Sequence, residues 1–206
     1  MQFYSILFFS FLAAILCVSN ALAQIEFTEH VITDDFEGAS SVFPVDLDGD
    51  GDIDILGSAY IDDEITWWEN DGDGEFEVHV VTDEFVGASF VYAADVDSDG
   101  DIDILGTAHA EDQIAWWEND GEQDFTEHTI ADDFIGAASV ITVDLDGDGD
   151  LDVLGAADGQ GVGPGGEITW WDNDGEQNFN EHIISEGNNL GGVKSVAADD
   201  LDGDGD

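Results

Sequence analysis

After residue 23 the chain alternates apolar and polar positions with a period of two, in short runs separated by Gly, Asp and Asn. In the first complete set the runs are "SVFPV" (Ser41 to Val45), "IDILGSA" (Ile53 to Ala59), "EITWWE" (Glu64 to Glu69) and "FEVHVV" (Phe76 to Val81). Residues two apart share one face of a strand, and turn-forming residues bound each run, so the pattern predicts four β-strands. The three-and-four spacing of an amphipathic helix does not occur in this region.

The set recurs along the chain. "VDLDGDGDIDILGSA", "ADVDSDGDIDILGTA", "VDLDGDGDLDVLGAA" and "DDLDGDGD" begin their acidic runs at Asp46, Asp95, Asp144 and Asp200, spaced 49, 49 and 56 residues apart. "EITWWENDG", "QIAWWENDG" and "EITWWDNDG" follow the same period from Glu64, Gln113 and Glu167. So do "FTEHVITDDFEGAS", "FEVHVVTDEFVGAS" and "FTEHTIADDFIGAA" from Phe27, Phe76 and Phe125, with a looser copy from Phe179. The longer third unit contains the Gly-rich run "GQGVGPGG", a longer turn.

A period near fifty with four strands per unit predicts an all-β chain of β-propeller blades, each with four antiparallel strands. Complete units span about 41–82, 90–131 and 139–185, with a truncated unit at 193–206. Residues 25–32 match a fourth strand and precede the first unit, where a ring-closing strand is expected. The chain stops inside a motif whose ninth position would be residue 208, so it is read as the N-terminal part of a longer protein, a partial propeller.

Charge narrows the partners. Among 206 residues there are 51 acids and one Lys or Arg, Lys194, for a formal charge of -50. Such a chain repels nucleic acid and anionic lipid and attracts cations. With 43% hydrophobic and 11% aromatic residues it is folded rather than a solvated polyelectrolyte. Residues 1–23 carry no charged side chain, hold an apolar run from Phe3 to Val18 and end Ala21-Leu22-Ala23, which predicts a signal peptide cleaved before Gln24. An uncleaved anchor is the other reading, although the run is short for a membrane span. Cleavage removes Cys17, the only cysteine, and leaves a secreted or cell-surface chain with no stable membrane span and no disulfide.

The acidic loops are the candidate chemistry. Numbered from Asp46, carboxylates occupy positions 1, 3, 5, 7 and 9: Asp46, Asp48, Asp50, Asp52 and Asp54. The second loop offers Asp95, Asp97, Asp99, Asp101 and Asp103, the third Asp144, Asp146, Asp148, Asp150 and Asp152, and the truncated unit Asp200, Asp202, Asp204 and Asp206. Two carboxylates about 5 Å apart repel by about 0.8 kcal/mol even in water, so a counter-cation belongs among them. An all-oxygen set without His or Cys selects a hard ion, Ca²⁺, with position 7 able to act through its carbonyl. Position 12, the bidentate Glu of an EF-hand, is Gly57, Gly106 and Gly155, and the flanks are strands, so position 9 is expected to replace it. The bland alternative is a solvated Asp-Gly turn.

The Asp-x-Asp-x-Asp-Gly-x-x-Asp loop, the preceding "DFEGASSV" and the following "DILGSA" resemble the FG-GAP and VCBS repeats of integrin α-subunit propellers and many secreted bacterial proteins. The resemblance covers residues 24–206. It implies a seven-bladed propeller with calcium held between the first two strands of each blade. "GS", "GT" and "GA" stand where that family often has Gly-Ala-Pro, and the Trp pair is no part of its motif.

Trp67-Trp68, Trp116-Trp117 and Trp170-Trp171 are read either as core or as platforms for sugars. His30, His79, His128 and His182 keep one place in successive units and are expected to be architectural, whereas His109 is singular. No nucleophile, base and orienting group converge, so the segment is not expected to be an enzyme. Two functions stay open. One is a calcium-dependent binding or adhesion module for an extracellular glycan or surface protein. The other is a structural or accessory region of a larger secreted protein, in which calcium supplies rigidity alone.

Overall fold

The computed structural model describes residues 27–161, 165–187 and 190–200. The expected signal peptide, and Asp202, Asp204 and Asp206, lie outside the described residues. The chain divides into two units, Met1–Val31 and Ile32–Asp206. In the first, residues 27–31 are exposed and outside any strand.

The second unit holds twelve strands among its described residues: β1 (Ala39–Val45), β2 (Asp54–Ala59), β3 (Glu64–Asn70), β4 (Phe76–Thr82), β5 (Ala88–Ala94), β6 (Asp103–Ala108), β7 (Gln113–Asn119), β8 (Phe125–Ala131), β9 (Ala137–Val143), β10 (Asp152–Ala157), β11 (Gly166–Asn173) and β12 (Phe179–Gly187). They form three antiparallel sheets of four, each strand pairing with its neighbour in sequence. These are propeller-like blades in series that do not close a ring. β5 packs on β1 and β2, and β9 on β5 and β6. No helix among the described residues is long and apolar enough to cross a membrane.

Residues 27–32 form no strand here, although they copy a fourth strand in sequence.

The Trp pairs are core. Trp67, Trp68, Trp116, Trp117 and Trp171 are at most 4% exposed, and Trp170 is half-buried. Adjacent strand residues face opposite ways, so each pair reaches two partners. The first ring stacks on the blade's histidine: Trp67 on His79 at 4.5 Å, Trp116 on His128 at 4.8 Å and Trp170 on His182 at 4.6 Å. The second meets a loop phenylalanine edge-on at 4.9 Å: Trp68 with Phe36, Trp117 with Phe85 and Trp171 with Phe134. Gly57 sits under one such pair, where a Cβ would lie 2.7 Å from Trp68 Cζ3 and 3.2 Å from Phe36. Packing therefore explains why position 12 is glycine.

Serines link the blades. The Ser40 hydroxyl reaches the Ala88 carbonyl of the next blade at 2.9 Å, and Ser89 reaches Ala137 at 3.1 Å.

Candidate metal centres

Each acidic loop joins the first two strands of a blade, and its own backbone folds it. Asp48 Oδ1 accepts from Asp50 N (3.1 Å), Asp50 Oδ1 from Asp52 N (2.8 Å) and Asp46 Oδ2 from Gly51 N (3.1 Å). The second loop repeats this with Asp97, Asp99 and Asp95. In the third, Asp146 and Asp148 do the same, but Asp144 accepts from Gly147 instead. Successive side chains are thereby turned inward.

The result is a set of carboxylate clusters. One oxygen from each of Asp46, Asp48 and Asp50 lies within 4.8 Å of the others, and so for Asp95, Asp97 and Asp99, and for Asp144, Asp146 and Asp152. Asp46 Oδ1 and Asp95 Oδ1 are buried without a hydrogen-bond donor. A buried carboxylate oxygen with no donor is costly. A cation at the cluster supplies what these atoms lack, and the oxygen-only donor set fits a hard divalent ion. The residues present therefore fit the metal that the loop pattern implies.

Position 9 has a task that spacing alone did not reveal. Asp54 accepts from Leu47 N at 2.9 Å and Asn70 N at 2.8 Å, Asp103 from Val96 N and Asn119 N, and Asp152 from Leu145 N and Asn173 N. All three are buried. Each pins the loop's second residue to the end of the blade's third strand. Burial raises the Asp54 carboxyl above its ordinary range, against the opposing pull of the two amides. Burial likewise pushes Asp103 up to about 7. Asp97 is raised too, by burial first and then by neighbouring acids such as Asp99.

Position 7 points elsewhere. A Cβ on Gly72 would lie 2.4 Å from Asp52 Oδ2, one on Gly121 2.6 Å from Asp101 Oδ2, and one on Gly175 2.5 Å from Asp150 Oδ2. These carboxylates rest against the β3–β4, β7–β8 and β11–β12 turns, outside the clusters. Gly72 is held at φ 75°, so the turn requires glycine twice over. Asn70, Asn119 and Asn173 build that turn: each accepts from the glycine two residues on and donates to the carbonyl of Ile53, Ile102 or Leu151. Their recurrence in "WWENDG", "WWENDG" and "WWDNDG" was the available signal. Asp200, at the start of the fourth acidic run, lines a cavity of about 310 Å³ together with Asp144 and Asp146.

A family model for the FG-GAP-like repeat matches residues 46–106 and again 95–155, each match running from one acidic loop through the next. Together they cover more than half of the chain. The chain belongs to the FG-GAP-like repeat family. No curated protein matches it in sequence. In these FG-GAP-like repeats the matched span opens on the first ligand candidate of one loop and closes on the strand glycine of the next blade, Gly106 or Gly155.

The loops joining the second and third strands hold the singular residues. His109 Nε2 lies 3.1 Å from Asp158 Oδ2, and the Lys194 ammonium donates to that same oxygen. Burial favours the neutral Asp158 carboxyl, but hydrogen bonds from Lys194, the Gln160 amide and His109 outweigh it and hold it down at about 2. Gln160 also donates to Asp112 Oδ1 at 2.9 Å. His109 is thus part of a knot between the second and third FG-GAP-like repeats. The histidine column behaves as expected in the blades, where His79, His128 and His182 pair with Glu69, Glu118 and Asp172. His30 lies in the exposed segment before β1 and takes no part in that pattern.

Proposed function

We propose that this chain is a calcium-loaded β-propeller module that works outside the cell by binding a glycan or surface protein. The observation that carries the calcium reading is the pair of buried, donor-free oxygens, Asp46 Oδ1 and Asp95 Oδ1, inside clusters made only of carboxylates. Asp46, Asp48 and Asp50, with Asp95, Asp97 and Asp99, and Asp144, Asp146 and Asp152, would hold the ions. Bound calcium supplies positive charge that cross-links loop residues, and the module has no catalytic step. Calorimetric titration of the mature chain should give at least two calcium ions per molecule; fewer than two would overturn the reading.

The burial of the Trp pairs favours a second reading, because it removes the large aromatic platforms from the surface. In that case the blades are a rigid accessory to a larger secreted protein. A glycan array and a cell-surface binding assay with calcium-loaded protein separate the two: calcium-dependent capture supports the module, and none on either supports the accessory role.

A further inference from the structure

The third and fourth strands of the first blade place two acids side by side. Glu69 on β3 and Glu77 on β4 are direct cross-strand partners, and His79 follows two residues after Glu77, opposite Trp67. One ligand atom from each of Glu69, Glu77 and His79 lies within 4.8 Å of the other two. Both glutamates line a surface cavity of about 320 Å³ with Asp71, Glu75 and Phe76, which leaves room for an ion and its water.

The sister blades isolate what is unusual here. At the equivalent register Glu118 faces Thr126 and Asp172 faces Asn180, an acid against a neutral residue in both. Like charges directly opposite on paired strands are destabilising; Glu167 and Glu186 form such a pair at the far end of the third blade, but at the register beside the histidine only the first blade has one. The histidine–acid contact recurs in all three blades, so it does not depend on a second acid. Glu77 therefore adds a donor where the scaffold needs none. Stacking on Trp67 fixes the His79 ring, and His79 Nε2 lies 2.9 Å from Glu69 Oε2. One imidazole nitrogen with two carboxylates is a donor set for zinc and similar borderline ions rather than for calcium, with a coordination position left for water.

We propose that Glu69, Glu77 and His79 form a binding site for a borderline divalent cation, zinc foremost, separate from the aspartate loops. On binding, the metal takes the place of the proton between His79 Nε2 and Glu69 Oε2, and that proton passes to solvent.

The test is a Co²⁺ titration of the full chain in excess calcium, read by visible ligand-field absorption, followed by displacement with Zn²⁺. One Co²⁺ with imidazole-type bands, displaced by Zn²⁺, is expected. Glu77→Thr, which installs the residue of the second blade and relieves the like-charge pair, should weaken binding by at least about tenfold while the metal-free melting temperature stays the same or rises. Thr126→Glu, which completes the set with Glu118 and His128, should gain a second bound ion. Absence of bands in the wild type, equal affinity in Glu77→Thr, or no gain in Thr126→Glu would overturn the proposal.

Discussion

Asp50 and Asp52 stand two residues apart in the first loop and face different ways, one into the carboxylate cluster and the other against Gly72. Asp50→Asn should therefore weaken calcium binding at that loop by about tenfold, or about 1.4 kcal/mol, while Asp52→Asn changes it much less. Calorimetry on the two variants decides the order. Asp103 carries a pH prediction. Its pKa of about 7 in the fold exceeds that of an unfolded aspartate, so between about pH 4 and about pH 7 the folded state holds the extra proton. Stability in chelator should then fall as pH rises through that window, and Asp103→Asn should flatten the slope. In excess calcium the slope should reverse, since protons and the ion compete for the same carboxylates. Scanning calorimetry at several pH values checks both; a flat profile in chelator would contradict the assignment. His128→Gln loses a stacked ring and an acid contact at once and should cost about 1 kcal/mol. Thermal unfolding measures this, and ligand binding should be untouched.

At the scale of the element, loop and turn are one device. Asp54 ties the acidic loop to the end of β3, and the Asn70–Gly72 turn supports Asp52 from the other side. Gly72→Ala brings strain from positive φ and a Cβ against Asp52, so it should cost about 1 kcal/mol and loosen the first calcium site alone. Site-by-site titration with the three loops resolved by NMR would show whether the effect stays local. Strands and loops were legible in the sequence because a period of two and a repeat of 49 are printed in it. The task of Asp54 was not, since spacing does not say whether a carboxylate faces an ion or a backbone amide. Glu77 gains meaning only from the β3–β4 register, which sets it opposite Glu69. The His109–Asp158–Lys194 knot was hidden for another reason: His109 and Asp158 share one place in successive units, but the residue type there changes from Tyr60 to His109 to Asp158, so no repeated residue marks it. Residues 27–32 copy a fourth strand in sequence and form no strand in the structure.

For the molecule as a whole, 51 acids stand against a single lysine or arginine, and one cysteine allows no disulfide within the chain. On the proposed reading, calcium is the main cross-link. Chelator at low salt should lower the melting temperature substantially, added salt should restore part of the loss by screening, and magnesium should rescue poorly because it favours a smaller octahedral shell. Thermal unfolding in calcium, in chelator, in chelator with added salt and in magnesium tests it, and one melting temperature throughout would show the loops to be solvated decoration. The serine links between blades bear on how such a chain changes its length. Ser40 meets Ala88 and Ser89 meets Ala137, so both joints span 48 residues and use the same hydroxyl-to-carbonyl contact. A copy of the first or second unit inserted or removed between them would therefore find a matching joint at its border, whereas the third unit, with Ala138 at the serine position, offers none. Gene-level slippage in multiples of one such blade is tolerated by this chemistry, whereas a gain or loss of a few residues inside β1 or β5 would misalign the hydroxyl and break the series.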